Sequence, residues 1–116
     1  MIRELTILGA GESGTGAAML AKVKGYNVFV SEFGTIHPDR KAVLDSYDIA
    51  YEEGGHTTER ILRSQLIIKS PGIASTVSIV SEAAKMGIEI IDELEFAYRF
   101  TSGRIVAIPG TNGKTT

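Results

Sequence analysis

Residues 5–20 read "LTILGAGESGTGAAML". Leu5 to Leu8 is an apolar run of strand length, and it breaks directly into glycines. Gly9, Gly11 and Gly14 satisfy the pattern G-x-G-x-x-G, and Gly14 to Lys24 reads as a helix. Strand, glycine turn and helix in that order suit a diphosphate. One glycine allows the tight turn, one lets the backbone approach the diphosphate, and one lets the helix pack on the strand. The helix N-terminus then offers free N–H groups and a partial positive charge. Ser13 and Thr15 add hydroxyls near that end, and Gly16, Ala17 and Ala18 keep the helix slim where it crosses the sheet. An acidic residue is expected about 20 residues on, at the end of the second strand. Glu32 stands there, after "NVFVS", where it would accept hydrogen bonds from a ribose. This cluster fits an NAD(P)-binding module of an oxidoreductase or sensor, and equally any other diphosphate nucleotide. The glycines read the diphosphate and not the base.

The same alternation of short apolar runs and helix-period segments continues outward. Strands are expected at Val28 to Val30, Ile49 to Tyr51, Leu66 to Lys69, Glu89 to Ile91 and Arg104 to Ile108. Helices are expected at Asp39 to Ser46, from a Thr57 cap to Arg63, at Thr76 to Met86 and at Glu93 to Phe100. On the last two, Val77, Val80, Ala83 and Ala84, and then Leu94, Phe96, Ala97 and Phe100, form the apolar faces. The expected fold class is α/β, a Rossmann-like parallel sheet with helices on both faces.

Length and composition narrow the function classes. The 116 residues suffice for one compact domain, and 43% apolar content is ordinary for a globular chain. A net charge of −2 without a long basic run argues against nucleic-acid binding. The absence of cysteine excludes a disulfide scaffold or a thiolate zinc site and fits a cytoplasmic setting. No run approaches the ~20 apolar residues of a membrane span, and the N-terminus lacks a signal-peptide core.

Two further clusters carry glycine. "KSPGI" puts Ser70, Pro71 and Gly72 after the fourth expected strand, on the same rim as Gly11 and Glu32. It reads either as a plain connection or as a close approach of backbone to a ligand base. Lys69 reads as a solvated charge at a strand end or as a phosphate contact. The tail "RIVAIPGTNGKTT" has the parts of a phosphate loop, but the G-x-x-x-x-G-K-[ST] pattern needs a glycine where Ile108 stands. Backbone N–H groups at Gly110, Thr111, Asn112, Gly113 and Lys114 suit a phosphate, and the Thr115 hydroxyl suits Mg²⁺. A plain Asn-Gly turn is the other reading.

Taken together, "GAGESGTG", "SPGI", "IDELEF" and "GTNGKTT" resemble the Mur ligase family in content, order and spacing, above all its D-glutamate-adding branch. The resemblance covers the whole chain but only about the first quarter of such an enzyme. It implies a Rossmann-like UDP-substrate-binding domain at residues 1–92. Residues 93–116 would be the linker helix, first strand and phosphate-loop start of a truncated central ATPase domain. It implies that Gly11, Glu12, Ser13 and Gly14 face the diphosphate, that Glu32 recognises the uridine, and that Gly72 lies close to the uracil. Gly110, Thr111, Asn112, Gly113, Lys114 and Thr115 would serve ATP, with Thr115 on Mg²⁺. The implied cytoplasmic bacterial enzyme joins D-glutamate to UDP-N-acetylmuramoyl-L-alanine in peptidoglycan precursor synthesis, at the expense of ATP and through an acyl phosphate. No catalytic residue falls in this fragment, which alone is expected to be inactive. The sequence departs from the family where Glu32 stands for Asp, where Phe33 and Gly34 follow it in place of a basic residue, and at Pro109.

His37, His56 and the pair Glu52-Glu53 read as solvated loop residues. The apolar faces of 93–100 and 104–108 are expected to find cover by folding back on the first domain or by pairing with a second copy.

Overall fold

The computed structural model describes residues 3–70 and 78–105, with side chains through Phe100. The strands are β1 (Glu4–Leu8), β2 (Asn27–Glu32), β3 (Ala50–Glu53), β4 (Leu66–Lys69) and β5 (Glu89–Asp92). The helices are α1 (Glu12–Val23), α2 (Pro38–Ser46), α3 (Thr58–Ile61), α4 (Ser78–Lys85) and α5 (Glu93–Ile105). All strand pairs are parallel, in the order β3-β2-β1-β4-β5. The expected α/β architecture is therefore present.

Period-two alternation sends successive strand residues into two cores. Leu5, Ile7, Val28, Val30, Leu66 and Ile68 face α1, α2 and α5, together with Ala18, Leu44 and Phe96. Leu8, Phe29 and Ile67 face the opposite side with Ile61 of α3 and Ile79, Val80 and Ala83 of α4. Burial on both faces explains the nearly unbroken apolar strands. On the second face, the buried hydroxyls of Thr6 and Ser64 pair at 2.5 Å. Each thereby avoids the cost of an unsatisfied polar atom.

Three expectations change. Ala84, Leu94 and Ala97, assigned to apolar faces, are exposed, and Ile79 and Glu93 lie inside instead. Glu52 and Glu53 form the end of β3 and are not a solvated turn. The strand expected at 104–108 is not formed at its start, because α5 continues through Ile105. A helix satisfies its own backbone as it lengthens, whereas a strand needs a neighbour to pair with. Residues 106–108 lie outside the described residues. The expected folding-back does occur for α5: Phe96 is buried in the first core, with Phe100 packed against it.

Candidate functional site

The sheet reverses its strand order between β1 and β4. In open α/β sheets, the crevice beyond the strand ends at such a point is where ligands bind. The loop from β1 into α1 lies there.

Its glycines do different work. Gly9 has φ 104°, a conformation that L side chains rarely adopt, and its N–H donates to the Ser31 carbonyl of β2 at 2.9 Å. Gly11 is the N-cap of α1 in extended conformation, and a Cβ there would meet nothing within 4 Å. Gly14 is buried, and a Cβ on it would overlap the Gly9 carbonyl oxygen. Glu12 and Ser13 are exposed on the first turn of α1, whose leading N–H groups have no acceptor one turn back. Thr15 is 5% exposed and turns its hydroxyl back onto the Gly11 carbonyl at 2.8 Å. Of the two candidate hydroxyls, Ser13 is the one facing out.

Glu32 ends β2 on the same rim and ties two loops together. Its Oε1 accepts the Ala10 N–H at 2.7 Å and its Oε2 the Gly34 N–H at 2.9 Å. A carboxylate has about four acceptor positions, so capacity for a ligand hydroxyl or N–H remains. Phe33 beside it is 74% exposed and lies against the His56 ring, centroids 5.9 Å apart.

A polar cluster that the sequence does not announce supports this rim. The buried Ser31 hydroxyl donates to Glu52 Oε2 at 2.7 Å and meets His56 Nδ1 at 2.6 Å. Thr57 donates to the same carboxylate through its N–H and its hydroxyl, at 2.7 and 2.6 Å. Thr57 does stand at the N-cap position of α3, but its hydroxyl serves Glu52 and not the helix. Glu53 accepts from Lys41 and from the Ile36 N–H, tying β3 to α2 and the loop before it. His37 is likewise engaged, as the α2 N-cap accepting the Asp39 N–H at 3.1 Å. The register signal, Ser31 opposite Glu52, exists only once β2 and β3 pair.

Burial pushes the Glu52 carboxyl up, but the Thr57 and Ser31 hydrogen bonds and the nearby His56 outweigh it and hold the group below the usual carboxylate range. A depressed pKa contributes stability that is present above the unfolded-state value and is lost as pH falls through the folded-state value. Glu52→Gln is therefore expected to cost about 1–2 kcal/mol at neutral pH. In denaturant titrations the gap from wild type should close in acid. A gap that persists unchanged there contradicts the assignment.

Glu93, the first residue of α5, is buried at 8% exposure. Its Oε2 lies 3.1 Å from where a Cβ on Gly14 would stand, and its buried Oε1 has no hydrogen-bond partner among the described residues. Ser13, Gly16, Ala17, Leu20, Glu93 and Phe96 line a groove of about 340 Å³ between α1 and α5. Among the described residues, no group of three or more His, Cys, Asp or Glu is placed to hold a metal, and no helix is long and apolar enough to cross a membrane. Gly72, and Gly110 through Thr115, lie outside the described residues.

Residues 4–79 match the family model described as MurD N-terminal domain. UDP-N-acetylmuramoylalanine–D-glutamate ligase from Porphyromonas gingivalis is 52% identical over 113 residues, covering 97% of this chain and 25% of the relative. The enzyme of the same name from Bacteroides fragilis is 47% identical over 115 residues, covering 99% of this chain and 26% of the relative. The chain thus spans about a quarter of the length of these curated relatives. Among solved structures, the murein peptide ligase from Psychrobacter arcticus superposes with a TM-score of 0.75 at 19% identity, over 84% of this chain and 20% of that one. An imine reductase from Myxococcus stipitatus in complex with NAD⁺ gives 0.58 at 19% identity, over 85% of this chain and 38% of that one. At such identities the two structures show the shared fold alone.

Proposed function

Because the chain belongs to the family of MurD N-terminal domains, we propose that the open N-terminus of α1 holds the diphosphate of a UDP-linked substrate. In this reading Gly11, Glu12, Ser13 and Gly14 present backbone N–H groups to the diphosphate. Glu32, fixed by Ala10 and Gly34, accepts from the uridine, and Gly72 approaches the uracil. The observation that carries it is the division of labour at the switch point. The backbone is bare at Gly11 and pressed against the sheet at Gly14, which is what close approach of a diphosphate requires.

The parent protein would be a bacterial cytoplasmic enzyme of peptidoglycan precursor synthesis. The carboxylate of UDP-N-acetylmuramoyl-L-alanine attacks the terminal phosphorus of ATP, releasing ADP and giving an acyl phosphate. The amine of D-glutamate then attacks the acyl carbon, phosphate leaves, a proton is lost, and an amide bond remains. Gly110 to Thr115, with Lys114 toward the phosphates and Thr115 toward Mg²⁺, would serve ATP. The domain boundary falls at 92/93. The present 116 residues would bind substrate and catalyse nothing.

Amide shifts of the isotope-labelled chain test this. UDP should move Gly11 to Gly14 and the neighbourhood of Glu32, and NADH should bind the same residues more weakly. Tighter binding of NADH would overturn the proposal in favour of a dinucleotide-binding module.

A further inference from the structure

Glu93 occupies a position that a diphosphate site does not obviously welcome. Its carboxyl packs over the first turn of α1, with Oε2 3.1 Å from the Cβ position of Gly14, and its buried Oε1 has no hydrogen-bond partner among the described residues. Ser13, on the turn that would receive the anion, lines the same groove. A buried oxygen left without a partner is costly, and more so when it carries charge. Burial, with Asp92 adjacent, already drives this carboxyl above the usual carboxylate range.

Among the described residues, the charged groups around it give Oε1 no hydrogen bond. From β5, Asp92 accepts the Glu95 N–H at 2.8 Å and adds negative charge. From α5 itself, Glu95 is committed to Arg99 at 3.2 Å. From β2, both Glu32 oxygens accept backbone N–H groups. From α1, Glu12 is exposed, and from β4, Lys69 neighbours Asp92 in the strand register and is engaged in interactions of its own. A doubly negative diphosphate arriving at Gly11 to Ser13 would face a carboxylate already short of solvation. When two anions share such a site, the one that can take a proton does so.

We propose that Glu93 is a positioning residue of the diphosphate site, and that it is neutral when the site is filled. Binding of a nucleoside diphosphate ester takes one proton from solvent onto the Glu93 carboxylate. No bond of the ligand changes. The added proton makes the carboxyl a donor as well as an acceptor and removes the repulsion between the two anions. This inference rests on the nucleotide reading above.

The test uses the full 116-residue chain and UDP-N-acetylglucosamine, whose diphosphate diester keeps its charge across the range. Calorimetry in buffers of small and large ionisation enthalpy counts the protons taken up. For wild type the expected result is net uptake toward one proton, with affinity falling by up to about tenfold per pH unit once pH exceeds the Glu93 value in the free chain. Glu93→Gln, a neutral isostere, is expected to take up no proton, to bind with a flat pH profile, and to exceed wild type in alkaline buffer. A Gln variant that merely perturbed folding would weaken binding at every pH. Binding by wild type without proton uptake, or a Gln variant with the wild-type pH profile, overturns this inference while leaving the nucleotide reading intact. Absence of binding to either protein overturns both.

Discussion

Gly14→Ala is expected to cost the domain about 3 kcal/mol or more, a fall in Tm of roughly 10 °C or more for a chain of this size. The added methyl would overlap the Gly9 carbonyl oxygen, which is backbone and has no rotamer to retreat into. Gly9 is itself held, its φ at 104° and its N–H bonded to Ser31. Relief therefore requires α1 to lift off β1, which opens the core around Ala17, Ala18 and Ala21. The same lift displaces the N–H groups of Glu12 and Ser13, so any nucleotide affinity should vanish with the stability. Gly16→Ala supplies the comparison. A Cβ there meets nothing within 4 Å, and alanine in a helix is favoured over glycine by up to about 1 kcal/mol. Opposite signs from the same substitution two residues apart, read in thermal unfolding, are the expected result. Similar small effects at both positions would refute the close approach of helix and strand.

Phe96→Ala is expected to destabilise by about 3–5 kcal/mol. The ring is 1% exposed and meets Tyr26 edge-on at 6.0 Å and Phe100 at 5.0 Å. It is buried in the first core, and the removed volume would leave a cavity that strands on one side and α1 on the other cannot close. Because α5 also places Glu93 over Gly14, hydrogen exchange should accelerate through α5 and into the first turn of α1. Leu94→Ala, two residues away but 76% exposed, is expected within about 0.5 kcal/mol of wild type. Equal losses from the two variants would show that the other face of α5 is the buried one.

Much of the fold was legible residue by residue. The break from Leu8 into Gly9, and the spacing of Gly9, Gly11 and Gly14, set strand, turn and helix through steric rules that act within a few residues. Repetition of strand and helix periods then left a parallel sheet as the consistent architecture. On α5, Phe96 and Phe100 face the core as expected, but Leu94 and Ala97 do not, and Glu93 is buried although it is not apolar. Periodicity ranks faces by hydropathy, while burial is decided by which face α1 and the sheet present. Glu52 and His56 read as solvated in the sequence because their partner, Ser31, lies on another strand and comes within reach only through pairing in register.

Sequence alone determined the order and kind of the elements through β5, the glycine turn between β1 and α1, and kinship with the ligases, because each depends on chemistry between near neighbours along the chain. Tertiary structure alone decided that Glu32 bridges two loops, that Ser31, Glu52 and His56 brace the rim, and that Glu93 is sealed against Gly14. Those arrangements join residues far apart along the chain, and the free energy that fixes them comes from packing between elements.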